Sequence, residues 1–81
     1  MKKKNGKDVI VSYSAKFYAE GYDDQLTREA GKFAGRLQGR GYCFRDEHRD
    51  LVFRMDAGQV PGFRKKLEEK YDGVLGVKAL R

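Results

Sequence analysis

The sequence is poor in the residues that most often carry catalytic or metal chemistry, with one cysteine, Cys43, and one histidine, His48. A single cysteine excludes a disulfide within the chain, which is typical of proteins from a reducing compartment. Without a second histidine or a usable cysteine spacing, the sequence has no zinc-binding pattern. The apolar run 9–11 after the basic start is far too short for a signal peptide or a membrane span. We therefore predict a cytoplasmic protein with no metal, no cofactor and no membrane partner.

What the sequence does contain is enough for one small hydrophobic core. It has 81 residues, of which 40% are hydrophobic and 37% are charged, and five tyrosines and five phenylalanines are spread along it. This mixture is typical of a folded domain rather than of a disordered segment. A domain of this size buries only a limited share of its surface. We therefore expect one marginally stable domain that gains from a partner or from self-association.

Positive charge is concentrated at the start of the chain. The formal net charge is +6, and residues 1–8 contain four lysines and one aspartate, which leaves +3 for residues 9–81. We predict that residues 1–8 form a disordered basic arm and that residues 9–81 form the folded domain. A folded body at +3 is only mildly basic, so net charge alone is a weak argument for nucleic-acid binding.

Hydrophobic periodicity divides the chain into strands and helices. Segments in which apolar and polar residues alternate predict half-buried strands, and segments with apolar residues at a 3.6-residue spacing predict helices. In chain order, the predicted elements are a strand 9–18, a helix 23–40, strands 42–46 and 50–55, a helix 59–72 and a strand 74–80. In the last strand, Leu75, Val77 and Ala79 are predicted to share one face.

The two central strands predict an antiparallel hairpin with its tip at residues 47–48. In this register Tyr42 lies opposite Phe53 and Asp46 lies opposite Arg49, so that the apolar pairs share a face and the polar pairs are opposite in charge. This agreement supports the hairpin.

The order strand, helix, strand, strand, helix, strand predicts an α+β fold. The expected architecture is a βαββαβ ferredoxin-like sandwich, in which a four-stranded antiparallel sheet carries two helices on one face. Its predicted core contains Phe33, Leu37, Phe53, Phe63 and Leu67. Small acylphosphatases share this topology, but their phosphate-binding loop carries glycines and an arginine where this chain has the acidic segment 19–24. The architecture hosts many functions, so it predicts none by itself.

The predicted first helix has an unusual solvent side. Basic residues recur on it at every fourth position, and glycines recur beside them. The basic strip comprises Arg28, Lys32, Arg36 and Arg40, and the glycine strip comprises Gly31, Gly35 and Gly39. Each interior glycine costs a helix about 0.5–1 kcal/mol relative to alanine. The pattern predicts a surface that a partner's backbone or phosphate groups can approach closely; the alternative is a frayed helix without a function.

The sheet face opposite the helices is a second candidate surface. It is predicted to be basic, hydroxylated and partly apolar, with Lys16, Arg45 and Arg54 among its cations and Tyr18 as its aromatic residue. Such a face suits the phosphates of single-stranded nucleic acid, although one aromatic ring makes a thin stacking platform. It suits a protein partner or a face-to-face homodimer about equally well. The alternative is an ordinary solvated face.

Two other features invite a functional interpretation. The segment Arg40–Phe44 resembles the opening of the ribonucleoprotein signature of RNA-recognition motifs. The resemblance ends there because Arg45 and Glu47 replace an aliphatic and an aromatic residue, and the segment falls on the second strand rather than the third, so core packing is the expected explanation. His48 and Cys43 lack the neighbours that catalysis or metal binding needs, which predicts a solvated turn and a structural thiol.

The sequence therefore predicts a non-enzymatic binding module. In this interpretation the basic strip and the basic arm contact the phosphates of nucleic acid without reading its bases. The alternative is a protein-interaction module, such as a small inhibitor or adaptor, that binds an acidic protein surface through the glycine strip or the open sheet face.

Overall fold

The structure, a computed structural model, describes residues 6–43 and 47–80, with the backbone alone for Tyr42, Cys43 and Leu80. Its main elements are β1 (Gly6–Ser14), α1 (Tyr22–Gly31), β2 (Arg36–Cys43), β3 (His48–Asp56), α2 (Val60–Lys70) and β4 (Val74–Leu80). Short 3-10 helices, Ala15–Glu20 and Ala57–Gln59, precede α1 and α2. The protein is a small α+β domain with an antiparallel sheet in the order β2-β3-β1-β4, which confirms the predicted class and element order.

One face of the sheet is buried against the two helices. The alternation of β1 places Val9, Val11 and Tyr13 on this face, where none of them has exposed surface. Leu26 of α1 and Phe63 of α2 are fully buried in the same core. The opposite face of the sheet stays uncovered. Within the described chain, neither helix has the length and apolar character needed to cross a membrane.

The predicted core is confirmed. Phe53, Phe63 and Leu67 are fully buried, and Phe33 and Leu37 are partly buried against them. The ring of Phe63 packs edge-on against Phe53, with centroids 5.8 Å apart, and lies 5.7 Å from the ring of Phe33. Aromatic clusters of this kind supply a large share of the apolar burial in a small domain.

The first helix ends at Gly31 rather than at residue 40, so the prediction of helix for residues 32–40 is wrong. The helix is closed by the N–H of Gly35, which donates to the carbonyl of Ala30 at 2.8 Å, while the N–H of Ala34 donates to Gly31. Ala34 adopts the left-handed conformation with φ of 61°. This conformation costs a residue with a Cβ roughly 1–2 kcal/mol. The chain turns here, and residues 36–40 form the start of β2.

The first strand begins and ends nearer to the N-terminus than predicted. It begins at Gly6, so residues 6–8, predicted as part of the basic arm, belong to the sheet; residues 1–5 lie outside the described residues. It ends at Ser14, and residues 15–18, predicted as strand, belong to a 3-10 helix. That helix stops at Gly21, whose φ of 81° is a conformation that glycine adopts at little cost. The turn at Gly21 directs the chain into α1.

The central hairpin forms in a different register from the predicted one. Tyr42 pairs with Arg49 rather than with Phe53, and Cys43 pairs with His48. The predicted pairing of Arg49 with Asp46 is therefore wrong, and residues 44–46 lie outside the described residues. Phe53 is buried, as predicted.

The last strand has the predicted bounds, but a bulge changes its faces. Ser12 pairs with Gly76 and Tyr13 pairs with Val74, which leaves Leu75 without a partner in β1. The side chain of Leu75 is 63% exposed and borders the open face, whereas Val77 is buried. The prediction that Leu75 shares the buried face of Val77 is therefore wrong.

The edge strand β4 also receives a side chain from α2. Arg64 donates from its Nη2 atom to the main-chain carbonyl of Val77 at 2.9 Å. The guanidinium group therefore ties the second helix to the outermost strand of the sheet.

Gly73 lies where two segments approach most closely. A Cβ added there would lie 2.7 Å from the Cε2 atom of Phe17, whose ring stacks on Tyr22 and cannot move aside freely. We expect Gly73→Ala to lower the free energy of unfolding by about 1–3 kcal/mol, measured by urea denaturation. The matched control is Gly31→Ala at the end of α1, where an added Cβ meets nothing within 4 Å. Equal effects of the two substitutions would contradict this packing.

Candidate functional site

The cations of the predicted basic strip do not share one surface. Arg28 lies on α1 and Lys32 directly follows it, and both are exposed on the helix layer. Arg36 and Arg40 lie in β2, where Arg36 is on the open face and Arg40 faces the helix layer. The predicted strip is therefore wrong, because the helix that would carry it ends at Gly31.

The predicted glycine strip is divided in the same way. Gly31 ends α1 beside open space, and Gly39 lies on the open face of β2. Gly35 is packed rather than accessible, since an added Cβ would lie 2.8 Å from the Cε atom of Met55 and 3.0 Å from the carbonyl of Ala30. No common approach surface connects these three glycines.

Arg28 and Lys32 do meet a third cation in a groove between the two helices. The groove has a volume of about 390 Å³ and includes Lys70 of α2 in its lining. Its other lining residues are Gln25, Glu29 and Tyr71. Glu29 is the one acidic residue that lines the groove within the described chain, and its side chain is only 3% exposed. Three positive charges and one negative charge therefore leave the groove with a net charge of +2.

Glu29 organises the base of this groove. Its Oε1 atom accepts a hydrogen bond from Lys70 Nζ at 3.2 Å and from the hydroxyl of Tyr71 at 3.3 Å, and Lys32 Nζ lies 3.8 Å away. The hydrogen bond to Glu29 raises the pKa of Lys70, and burial raises the pKa of Tyr71. Lys70 therefore remains charged at neutral pH, and the groove keeps its positive mouth.

The cations on the open face are arranged differently. Arg36 pairs directly with Arg54 across the strands, which places two like charges side by side. Asp8 offsets one of them, because its Oδ1 atom lies 3.1 Å from Arg54 Nη1. Among the described residues, no carboxylate lies within ion-pair distance of Arg36.

Two further predicted site residues, Lys16 and Tyr18, lie apart from both surfaces. Lys16 and Tyr18 belong to the first 3-10 helix rather than to the sheet, and both are exposed. The guanidinium of Arg49 covers the Tyr18 ring, 4.6 Å from its centroid. The prediction that Lys16 and Tyr18 belong to the open face is therefore wrong, and Arg45 lies outside the described residues.

A polar network that sequence reasoning missed joins β1, α1 and β3. Asp23 accepts hydrogen bonds from Arg49 Nε at 3.0 Å and Nη2 at 2.8 Å, and from the hydroxyl of Tyr13 at 2.5 Å. Burial alone would raise the pKa of Asp23, but the hydrogen bonds from Arg49 and Tyr13 outweigh it and lower that pKa. Arg40 adds a weaker contact, with Nε 4.0 Å from the same carboxylate. These opposite charges pair with one another, so the network stabilises the fold rather than binding a ligand.

His48 lies in a small cluster on the open face rather than in a turn. The Asp50 Oδ1 atom accepts a hydrogen bond from the hydroxyl of Ser12 at 2.7 Å and lies 3.3 Å from His48 Nε2. The carboxylate stands between the other two groups, whereas a serine nucleophile needs the histidine beside its hydroxyl. Within residues 6–43 and 47–80, no group of three or more acidic, histidine or cysteine side chains is placed to hold a metal ion.

Comparisons with protein-family models, with curated proteins and with solved structures find no match to this chain. The case for a function therefore rests on the side chains just described.

Proposed function

We propose that the protein is a non-enzymatic module that binds nucleic acid through its phosphate groups, with the groove between α1 and α2 as the main contact surface. The observation that carries this proposal is the set of three cations, Arg28, Lys32 and Lys70, around one groove of about 390 Å³. The acidic residue in the groove is buried and already hydrogen-bonded, so it contributes little repulsion at the mouth.

The exposure of these cations suits phosphate contacts. The side chains of Lys32 and Lys70 are 62% and 52% exposed, so that their ammonium groups reach solvent while Glu29 anchors them. Lys66, one helical turn before Lys70 on α2, is also exposed and extends the positive surface. Lysine and arginine bind phosphate oxygens without reading bases, so binding that tolerates sequence changes is expected. In this proposal the basic residues Lys2, Lys3 and Lys4 add further phosphate contacts.

Two finer assignments belong to the same proposal. We infer a ferredoxin-like arrangement, which is supported by two strand-helix-strand units and by the strand order β2-β3-β1-β4. We also propose a cytoplasmic location, which is supported by the single cysteine.

The double variant Arg28→Ala with Lys32→Ala tests the groove. Removing two phosphate contacts should weaken binding about tenfold or more and should reduce the slope of log affinity against log salt by about two units on duplex DNA. The measurement is fluorescence anisotropy with a labelled oligonucleotide of about 20 nucleotides, in single-stranded and in duplex form, over about 50–300 mM salt. The loss should be similar for unrelated base sequences.

The matched control is Arg36→Ala with Arg54→Ala, which removes the same charge from the open face. It should retain most of the affinity and of the salt slope. The reverse result, with binding lost in the control and kept in the groove variant, would assign phosphate contact to the sheet and not to the helices. If the wild-type protein binds neither oligonucleotide even at low salt, the proposed function is wrong.

A further inference from the structure

The uncovered face of the sheet has a composition that one chain does not explain. Gly39, Gly41 and Gly76 lie within its strands, and a Cβ added at any of them meets nothing within 4 Å. Glycine inside a strand lowers stability and often marks a place where another backbone or a ligand approaches. Beside Gly76, Leu75 is 63% exposed. Packing within the described chain therefore accounts neither for the missing side chains nor for the exposed one.

Strand pairing arranges this face in rows that run across the sheet. One row contains, in order from β2 to β4, Gly41, Asp50, Ser12 and Gly76, with Leu75 next to Gly76. The next row contains Gly39, Val52, Ile10 and Lys78, and the third contains Arg36, Arg54 and Asp8. In the first two rows, Gly41 and Gly39 leave β2 without side chains, whereas Leu75 and Lys78 protrude from β4.

We infer that a second copy of this chain docks on this face, related to the first by a two-fold axis that runs parallel to the strands between β1 and β3. Such an axis places β2 of one protomer over β4 of its partner, and β3 over β1. Each row then faces the same row of the other protomer in reversed order. The inference does not depend on the groove, which lies on the opposite side of the sheet.

The outer strands are complementary in size under this operation. Gly76 faces the partner's Gly41, which leaves room there for the side chain of the adjacent Leu75, and Lys78 faces the partner's Gly39. Each protruding side chain therefore meets a position that has none, and the exposed leucine gains an apolar contact. The open space beside both glycines is the room that these side chains need.

The inner strands are complementary in chemistry. Val52 faces the partner's Ile10, so that apolar side chains meet at the centre. Arg54 faces the partner's Asp8, which adds a carboxylate across the interface to the one 3.1 Å away in the same chain. Opposite charges at the rim favour one register of two docked sheets over others.

A two-fold axis perpendicular to the strands, passing through the row of Gly39 and Lys78, gives a poor fit. It places Lys78 over its own copy and Gly39 over its own copy, so that like charges meet at one edge and a void remains at the other. The rows therefore favour the axis parallel to the strands.

The size of the face sets the expected strength of the dimer. Four strands spaced about 4.8 Å apart and about seven residues long give a face of roughly 450 Å² per protomer. Permanent interfaces need about 800 Å² or more from each partner. The expected state is a reversible dimer with a dissociation constant in the micromolar range.

The test is sedimentation velocity of the full chain from about 5 µM to about 1 mM. The wild-type protein should show a monomer–dimer equilibrium, and Leu75→Glu should raise its dissociation constant about 30-fold or more. Adding Gly41→Lys to Leu75→Glu should lower the dissociation constant again by at least tenfold. Positions 41 and 75 lie on opposite edges of the sheet, about 14 Å apart in one chain, so a restored affinity can come only from contact between protomers.

The matched control is Tyr18→Glu, which places the same charge on an exposed aromatic residue outside the face and should leave the dimer unchanged. Circular dichroism checks that each variant is folded, and Leu75→Ser replaces Leu75→Glu should the latter not fold. A wild-type protein that stays monomeric at about 1 mM overturns the inference. So does a Leu75 variant with unchanged association, or a folded double variant in which Gly41→Lys restores nothing.

Discussion

Phe53→Ala is expected to lower the free energy of unfolding by about 3–5 kcal/mol, the largest effect of any single substitution considered for this protein. Phe53 has no exposed surface and lies in β3, between β2 and β1. Its ring packs edge-on against Phe63, with an interplanar angle of 83°. Removing the ring loses its transfer free energy and also leaves a cavity that two neighbouring strands cannot close.

Urea denaturation followed by circular dichroism measures this loss. The control is Val52→Ala, next to Phe53 in the same strand but on the open face, studied at a concentration where the protein is monomeric. Val52→Ala should lower the free energy of unfolding by less than about 1.5 kcal/mol, because Val52 is only partly buried in the monomer. A small effect of Phe53→Ala, or an equal effect of both substitutions, would show that the core is not centred on β3.

Asp23→Ala is expected to lower the free energy of unfolding by about 2–3 kcal/mol. The substitution leaves the Arg49 side chain, which is only 17% exposed, without its bidentate partner. It also leaves the hydroxyl of the fully buried Tyr13 without its acceptor. The adjacent Asp24 is exposed, so Asp24→Ala is the matched control and should change stability by less than about 0.5 kcal/mol.

The same network predicts a dependence of stability on pH. The pKa of Asp23 is lowered in the folded protein from its ordinary value of 3.8, so the carboxylate binds protons less readily when folded than when unfolded. Its contribution is fully present above about pH 4 and is lost as the pH falls through the folded pKa. The difference in unfolding free energy between the wild type and Asp23→Asn should therefore shrink below about pH 4. A difference that stays constant down to about pH 2.5 would contradict the ionised pairing with Arg49.

The elements predicted best are those whose signals are local. The second helix carries its apolar residues at a helical spacing and ends at Lys70, close to Gly73, and the last strand begins directly after that glycine. The prediction extends the first helix too far because Phe33 and Leu37 continue its apolar period, although the helix ends at Gly31 and the chain turns at Ala34. Nothing local marks residues 36–41 of β2 as a strand, since their sequence does not alternate. The strand is held in place by pairing with β3, which is a tertiary effect.

The candidate site was predicted in part for the same reason. Arg28 and Lys32 could be placed together because they lie about one helical turn apart at the end of α1. Lys70 could not be added from the sequence, because its place in the groove depends on the packing of α2 against the buried Glu29. The pairing of Asp23 with Arg49 likewise joins residues 26 positions apart and requires the β1–β3 register.

The hydrogen bond from Arg64 to the carbonyl of Val77 has a consequence for polymerisation. An uncovered edge strand with few charges can add the edge strand of another molecule, and this addition can repeat without limit to build fibres. A strand that added alongside Val77 would have to displace the guanidinium and leave it without this acceptor. We therefore expect Arg64 to hinder strand addition, and with it open-ended growth, at this point of the β4 edge.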